Sequence, residues 1–381
     1  MIAAFRLSRA PALVLALVAA FAASSAAPAA AADIFTVRGI HVDQTAESAT
    51  AARAAAQAEG QRLALTAMMK KLTLPEDWAA LPTVDDATAQ RAVRGFQMAS
   101  EKTSSTRYIA EMIVSFQPEA VRRLLRGANI PFGETQARPA VLLAVLHRDG
   151  ETLLWEDNNP WRKAWAELEP ADELAPLVLP LGDIMEINSV SAEQAVSSED
   201  AAKEALANLA ANYGTSEVVV AEATLNADGS LAVVATRKGG PVAAEPIRGS
   251  YPKQGEDSAA TMTAAAADLI GQLAVAWKRQ IIVRDGKLST LTARADFANL
   301  GDWETIRKGL TSTPLVQGME VAGISARGAE IYISHKGTPE MLALSLAQQN
   351  VELRDGMAAA PGSGTEAPES RGPRWHLGVR Q

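Results

Sequence analysis

The chain has 381 residues, of which 36 are basic and 44 acidic, with no cysteine. A formal charge of −8 repels phosphate backbones and anionic lipid headgroups, which argues against nucleic acid as a partner. Without thiols there are no disulfides and no thiolate metal sites, so buried apolar cores must hold the fold, as the chain length permits.

Residues 1–32 have the pattern of a secretory signal peptide. Arg6 and Arg9 precede an apolar run from Pro11 to Ala23, and small residues lead to Ala30-Ala31-Ala32. The run is shorter than the roughly 20 residues of a membrane span. Cleavage after Ala32 removes two arginines, takes the net charge from −8 to −10, and leaves a periplasmic chain with no stable membrane insertion. No later apolar run reads as long and charge-free enough to span.

Residues 33–136 read as an α+β domain. Ile34 to Val42 is rich in β-branched residues and predicts a strand. Ala46 to Leu72 predicts a long helix with Ala51, Ala54, Ala58, Leu65, Met68 and Leu72 on its apolar side. A second helix is expected over Asp86 to Ala99, a strand over Tyr108 to Phe116, and a helix opened by Pro118 and ending near Gly127.

Residues 137–284 read as an α/β layered domain. Val141 to Leu146 is a continuous apolar run, as expected of a strand covered on both faces. The stretch WEDNNPWRKAW (155–165) holds three of the seven tryptophans. Asn159 as cap and Pro160 in the first turn predict a helix with Trp161, Trp165 and Leu168 on one face, burying its indoles against a sheet. Leu177 to Leu181 (LVLPL) reads as another buried strand ending at Gly182-Asp183. A helix is expected from Ser198 to about Tyr213, strands over 217–225 and 231–236, and an alanine-rich helix from Ala259 to Trp277.

Residues 285–355 follow the order β-α-β-β-α-β, a ferredoxin-like arrangement. Leu291, Ala293, Ala295 and Phe297 alternate with polar residues, and Thr338-Pro339-Glu340 opens the second helix. Residues 356–381 are rich in Pro, Gly, Ser and Glu at first and read as a disordered tail. The overall fold class is α/β and α+β, multidomain.

Three segments carry a family resemblance: AEGQRLALTAMMKKLT in the first long helix, the stretch from Ser115-Phe116 through ANIPFG to RPAVLLAV, and LAANYGTSEVVVAEAT at 209–224. In this order, with the β-α-β-β-α-β unit, they resemble the bacterial exported proteins grouped as domain of unknown function 2066. That resemblance implies an envelope location and a fold, and it carries over no catalytic residue. The family's tryptophan soon after RP is missing here. The central unit also resembles, at fold level alone, the α/β domains of periplasmic lipoproteins that activate cell-wall synthases; the lipid-bearing cysteine is missing.

Residues for chemistry are sparse. His41, His147, His335 and His376 are not at metal-ligand spacing, so no metal or cofactor is expected. Ser250-Tyr251-Pro252-Lys253 spells S-x-x-K with no S-D-N partner, and reads as a strand running into a turn. On the third unit, Thr292, Arg294, Glu330 and Tyr332 form a sheet face too poor in aromatics for RNA, expected to pack on a neighbouring domain. The segment RGPRWHLGVRQ sets Arg371, Arg374 and Arg380 beside Trp375, the residue types that anchor interfaces, and reads as docking a partner or folding back on the acidic body. The reading favoured by all this is a non-enzymatic envelope adaptor or assembly factor with envelope protein partners. The other is a periplasmic small-molecule or glycan-binding protein, or an enzyme, with an inter-domain cleft.

Overall fold

The computed structural model describes residues 34–380, apart from 169, 171–172, 240–244, 256–257, 285, 326 and 357–372. The expected signal peptide, Arg371 and the first part of the expected tail lie outside the described residues. Three sheets, each with its own helices, make an α+β, multidomain fold.

The first sheet has the order β1 (Thr36–Thr45), β3 (Arg107–Phe116), β2 (Val93–Thr103), all antiparallel. Helix α1 (Ala49–Leu72) lies across it, capped by the Ser48 hydroxyl accepting from Ala51 N. Its buried side is Ala52, Ala56, Gly60, Ala64, Leu65, Met68, Met69 and Leu72. The expected Ala51, Ala54 and Ala58 are off this face. With alanine at most positions of the first two turns, periodicity has no large side chain to fix the phase. Gly60 fixes it in space: a Cβ there would overlap the Met112 and Val42 side chains of the sheet. The expected helix 86–99 is also corrected. Helix α2 stops at Ala92 (Asp86–Ala92), and from Val93 the chain becomes β2, because pairing with β3 outweighs local helix propensity. A 3-10 helix (Pro75–Ala80) and helix α3 (Pro118–Gly127) complete this unit.

The second sheet runs β5 (Glu151–Leu153), β4 (Ala140–Arg148), β7 (Glu217–Leu225), β8 (Leu231–Gly239), β9 (Ile247–Tyr251), with β6 (Leu177–Val178) on β4. Strands β4 and β7 are parallel and nearly all apolar because both their faces are covered. Helices α4 (Pro160–Glu167) and α8 (Ala259–Ile281) cover one face; α6 (Ala192–Val196) and α7 (Asp200–Asn212) cover the other, with the short α5 (Ile184–Ser189) beside α7. Asn159 caps α4 through Trp161 N and Arg162 N, and its amide donates to Ala144 O. Trp161 and Trp165 are fully buried, edge to face at 5.4 Å. Trp161 Nε1 donates to Ala221 O at 2.8 Å, whereas Trp165 Nε1 has no partner among the described residues.

By length and composition α8 could cross a membrane, contrary to the sequence expectation. Here Met262, Ala265, Ala266, Leu269 and Leu273 enter the second core, and Trp277 and Ile281 enter the first.

The third sheet has the order β11 (Val316–Ser325), β12 (Gly328–Lys336), β10 (Leu288–Asp296), β14 (Trp375–Val379), β13 (Val351–Asp355). Helices α9 (Leu300–Ser312) and α10 (Pro339–Ala347) cover one face. Asn299 caps α9, its side chain accepting from Asp302 N in the first turn. The fully disordered tail is the clearest correction: residues 375–379 form an interior strand. Trp375, Leu377 and Val379 alternate toward the core, a pattern masked by the Pro/Gly/Ser-rich residues before them.

Replacing Trp161 by alanine empties a fully buried site and removes the Nε1 bond to Ala221 O. The expected cost is about 3–5 kcal/mol, read as a lower urea midpoint with an unchanged m-value.

Candidate functional site

Two surfaces compete for function: a cleft between the first and second units, and a protruding turn on the second.

The cleft has a volume of about 970 Å³. One wall is β1, the end of α1 and the 3-10 helix; the other is α8 with Leu168 and Glu173. Trp78 is its exposed aromatic, and the Lys70 ammonium sits 5.2 Å from the centre of that ring. The remaining cations are largely committed to the fold. Lys71 Nζ donates to Thr36 O at 3.2 Å, and the buried Lys278 Nζ donates to Thr73 O at 2.6 Å and Lys70 O at 3.1 Å. Thr73 O and Lys70 O are terminal carbonyls of α1, where the helix dipole favours positive charge. Acids (Glu111, Glu173, Asp268) and bases (Arg38, Arg279) are mixed along the walls, so no single sign of charge converges.

The protruding turn spans residues 180–190. LVLPL leaves the sheet after Val178: Pro180 has no N–H to give, and Gly182 turns the chain at φ +75°. The expected buried strand through Leu181 is thereby corrected, with Leu181 82% exposed. Ile184, Met185 and Ile187 follow at 76%, 77% and 45%. Four large aliphatic side chains in seven residues face water.

Beneath them the backbone is tied down. Asp183 and Glu186 form a capping box on α5, with Glu186 N donating to Asp183 Oδ1 at 2.9 Å. The buried Glu186 carboxylate accepts from Gly182 N at 2.6 Å, Asp183 N at 3.2 Å and the Tyr213 hydroxyl. That hydroxyl in turn accepts from Leu181 N at 3.2 Å. Burial, then the bond to Glu186, raises the Tyr213 pKa. Arg162 donates to Pro180 O at 2.6 Å and Leu181 O at 2.9 Å, and Trp155 Nε1 donates to Val190 O at 2.7 Å. The apolar side chains are therefore held out by an ordered scaffold.

The sequence-expected docking residues lie elsewhere. Arg374 chelates the Asp355 carboxylate at 2.5–3.1 Å and lies 5.4 Å from the centre of the Trp375 ring. Trp375 is partly buried against the third core. Arg380 N donates to Asn350 O at 2.9 Å. Arg371 is outside the described residues. Thr292 and Arg294 face Tyr332 and Glu330 across the strands, on a sheet face where Glu330 and Tyr332 are exposed and not packed on a neighbour as expected.

His147 is held between Thr152 Oγ1 at 3.1 Å and Glu222 Oε1 at 2.8 Å. A hydroxyl, imidazole and carboxylate in that order resemble a hydrolase relay. Thr152 is simply the cross-strand neighbour of His147, and none of the three lines the cleft. Among the described residues no group of three His, Asp or Glu side chains is placed to hold a metal.

Comparison with known proteins adds one match: a family described as Domain of unknown function (DUF8605), over residues 35–134. This is the first sheet with α1, α2 and α3. It is a different family from domain of unknown function 2066, and it overturns that resemblance. The hydrophobic pattern that suggested the earlier family is generic to a sheet covered by an alanine-rich helix. No curated protein matches the chain.

Lys278 provides a test of how the cleft is built. Burial lowers its pKa to about 8, with Glu173 and Glu76 acting in the opposite sense. The unfolded side chain titrates near 10.4. Between these values the unfolded chain binds more protons, so a burial penalty present at neutral pH is relieved as pH rises through the window. Relative to Lys278→Met, the native protein is expected to gain roughly 2 kcal/mol in urea unfolding between pH 7.5 and 10. A constant difference across that range would mean the ammonium is not buried.

Proposed function

We propose that this chain is an exported envelope protein that acts without catalysis, as an adaptor or assembly factor working through protein–protein contacts. The observation that carries this reading is the rigid apolar turn at 181–187. Exposing contiguous aliphatic side chains is costly, and such patches on soluble surfaces mark interaction sites. Its braced backbone leaves little ordering entropy to lose on binding. Between residues 181 and 200 all the charged side chains are acids: Asp183, Glu186, Glu193, Glu199 and Asp200. In space Glu186 is buried, Lys203 pairs with Asp200, and Arg162 and Lys238 donate to main-chain carbonyls of the same segment, so the tip is apolar with a mixed-charge surround and fits an apolar groove on a protein partner. An envelope location, reached through cleavage after Ala32, belongs to this reading and is checked by N-terminal sequencing, with Asp33 expected first.

A second reading, small-molecule or glycan binding, rests on the cleft and its exposed Trp78. Three of its five cations, Lys70, Lys71 and Lys278, are engaged with main-chain carbonyls and the indole, which leaves fewer groups to converge on a ligand.

The double substitution Ile184→Asp/Met185→Asp alters exposed side chains only, and stability should stay within about 0.5 kcal/mol of native. In crosslinking from intact cells, recovery of envelope partners should fall several-fold. Undiminished recovery would remove the turn from the adaptor reading. Saturable glycan binding, lost in Trp78→Ala, would favour the cleft instead.

A further inference from the structure

In the third unit β14 occupies a slot between β10 and β13, the first and last strands of the β-α-β-β-α-β order. It is parallel to β10 over Trp375 to Leu377 and antiparallel to β13 over all five residues. Both its edges are thus read by main-chain hydrogen bonding, the mode by which sheets take up added strands. Side chains set the register. Trp375, Leu377 and Val379 enter the core, Arg374 chelates Asp355, and His376 Nδ1 lies 3.0 Å from Asp296 Oδ2.

The connection is far longer than the register needs. Asp355 and Trp375 are directly opposite, a step that a hairpin closes with two to five residues. Here residues 356–374 intervene. Nineteen residues can extend over roughly 60 Å, beyond the width of the unit they belong to. Such a connection permits pairing within the chain and equally lets the strand reach a second molecule.

We propose that the β10/β13 slot is a strand-acceptor site, and that a second copy of this chain can fill it with its own residues 374–380. The fit is given by identity: the donated segment is the one already seated there. Exchange produces a dimer with the same hydrogen bonds and the same core as the monomer. At low concentration the tethered strand wins by its effective concentration, and the exchanged form gains as protein concentration rises.

The absence of cysteine permits a direct test. Glu352 and Gly378 are opposite each other on β13 and β14, and a Cβ at Gly378 meets open space. Full-length chains carrying Glu352→Cys or Gly378→Cys are mixed, equilibrated at high concentration, and oxidised. A linkage between 352 and 378 then forms only by exchange. It is expected several-fold above the level found when the Gly378→Cys chain also carries Leu377→Asp. The double variant Glu352→Cys/Gly378→Cys, in one chain at low concentration, should close its disulfide internally. If it does so while the mixed chains stay at the Leu377→Asp level, the proposal is overturned. It is equally overturned if the double variant fails to close, since β14 then does not occupy the slot.

Discussion

The Lys278 ammonium is withdrawn from water and given the Thr73 and Lys70 carbonyls at the end of α1. Burying a charge is expensive unless hydrogen bonds replace its hydration, and here the replacement comes from a different structural unit. Around that contact Trp277 Nε1 donates to Thr135 O at 2.7 Å, and Ile281 packs where a Cβ on Gly133 would collide. The far half of α8 lies in the second core. One helix thereby belongs to two cores, and the cleft beside it is a consequence of how they are riveted. The third unit is joined by polar links, Thr135 Oγ1 to Ser345 Oγ and Arg138 N to Gln348 Oε1, and by Leu344, which packs against the first core.

The same economy explains why the two candidate surfaces differ. In the cleft, polar groups that could meet a ligand serve the packing of α8 on α1. In the turn at 180–190, polar groups serve only the turn. Glu186, Tyr213, Arg162 and Asp183 satisfy nearly every main-chain group of an irregular segment, so its side chains are free of structural duty. Large aliphatics with no role in the core and a rigid base are an arrangement that stability alone does not require.

Much of the fold was legible in the sequence where punctuation and pattern agree. Asn159-Pro160 with Trp161 and Trp165 defines α4, and Thr338-Pro339 starts α10 as expected. Failures came where composition blurred the signal. Alanine repeats left the phase of α1 undetermined, and β2 was read as helix because its sheet partner lies in β3, after an intervening turn. Strand β14 was lost in the average composition of its surroundings. The turn was missed because LVLPL looks like a core strand. The signal that would have found it is local: Pro180, Gly182 and the capping pair Asp183 and Glu186 together stop a strand and start a helix within seven residues. The following Ile184, Met185 and Ile187 then lie on a helix too short to bury them.

Placing residues 375–379 inside the third sheet also imposes an order of events. Translation delivers a chain from its N-terminus, so α9, α10 and the first four strands of this unit emerge before the strand that separates β10 from β13. Until residue 379 arrives, Leu353 and Ala293 lack the neighbour that lies between their strands. A chain cut short anywhere in the connecting segment would therefore carry a permanent defect inside the sheet, with unpaired backbone open to proteases. The topology makes completeness of synthesis a condition of survival, a form of quality control written into strand order.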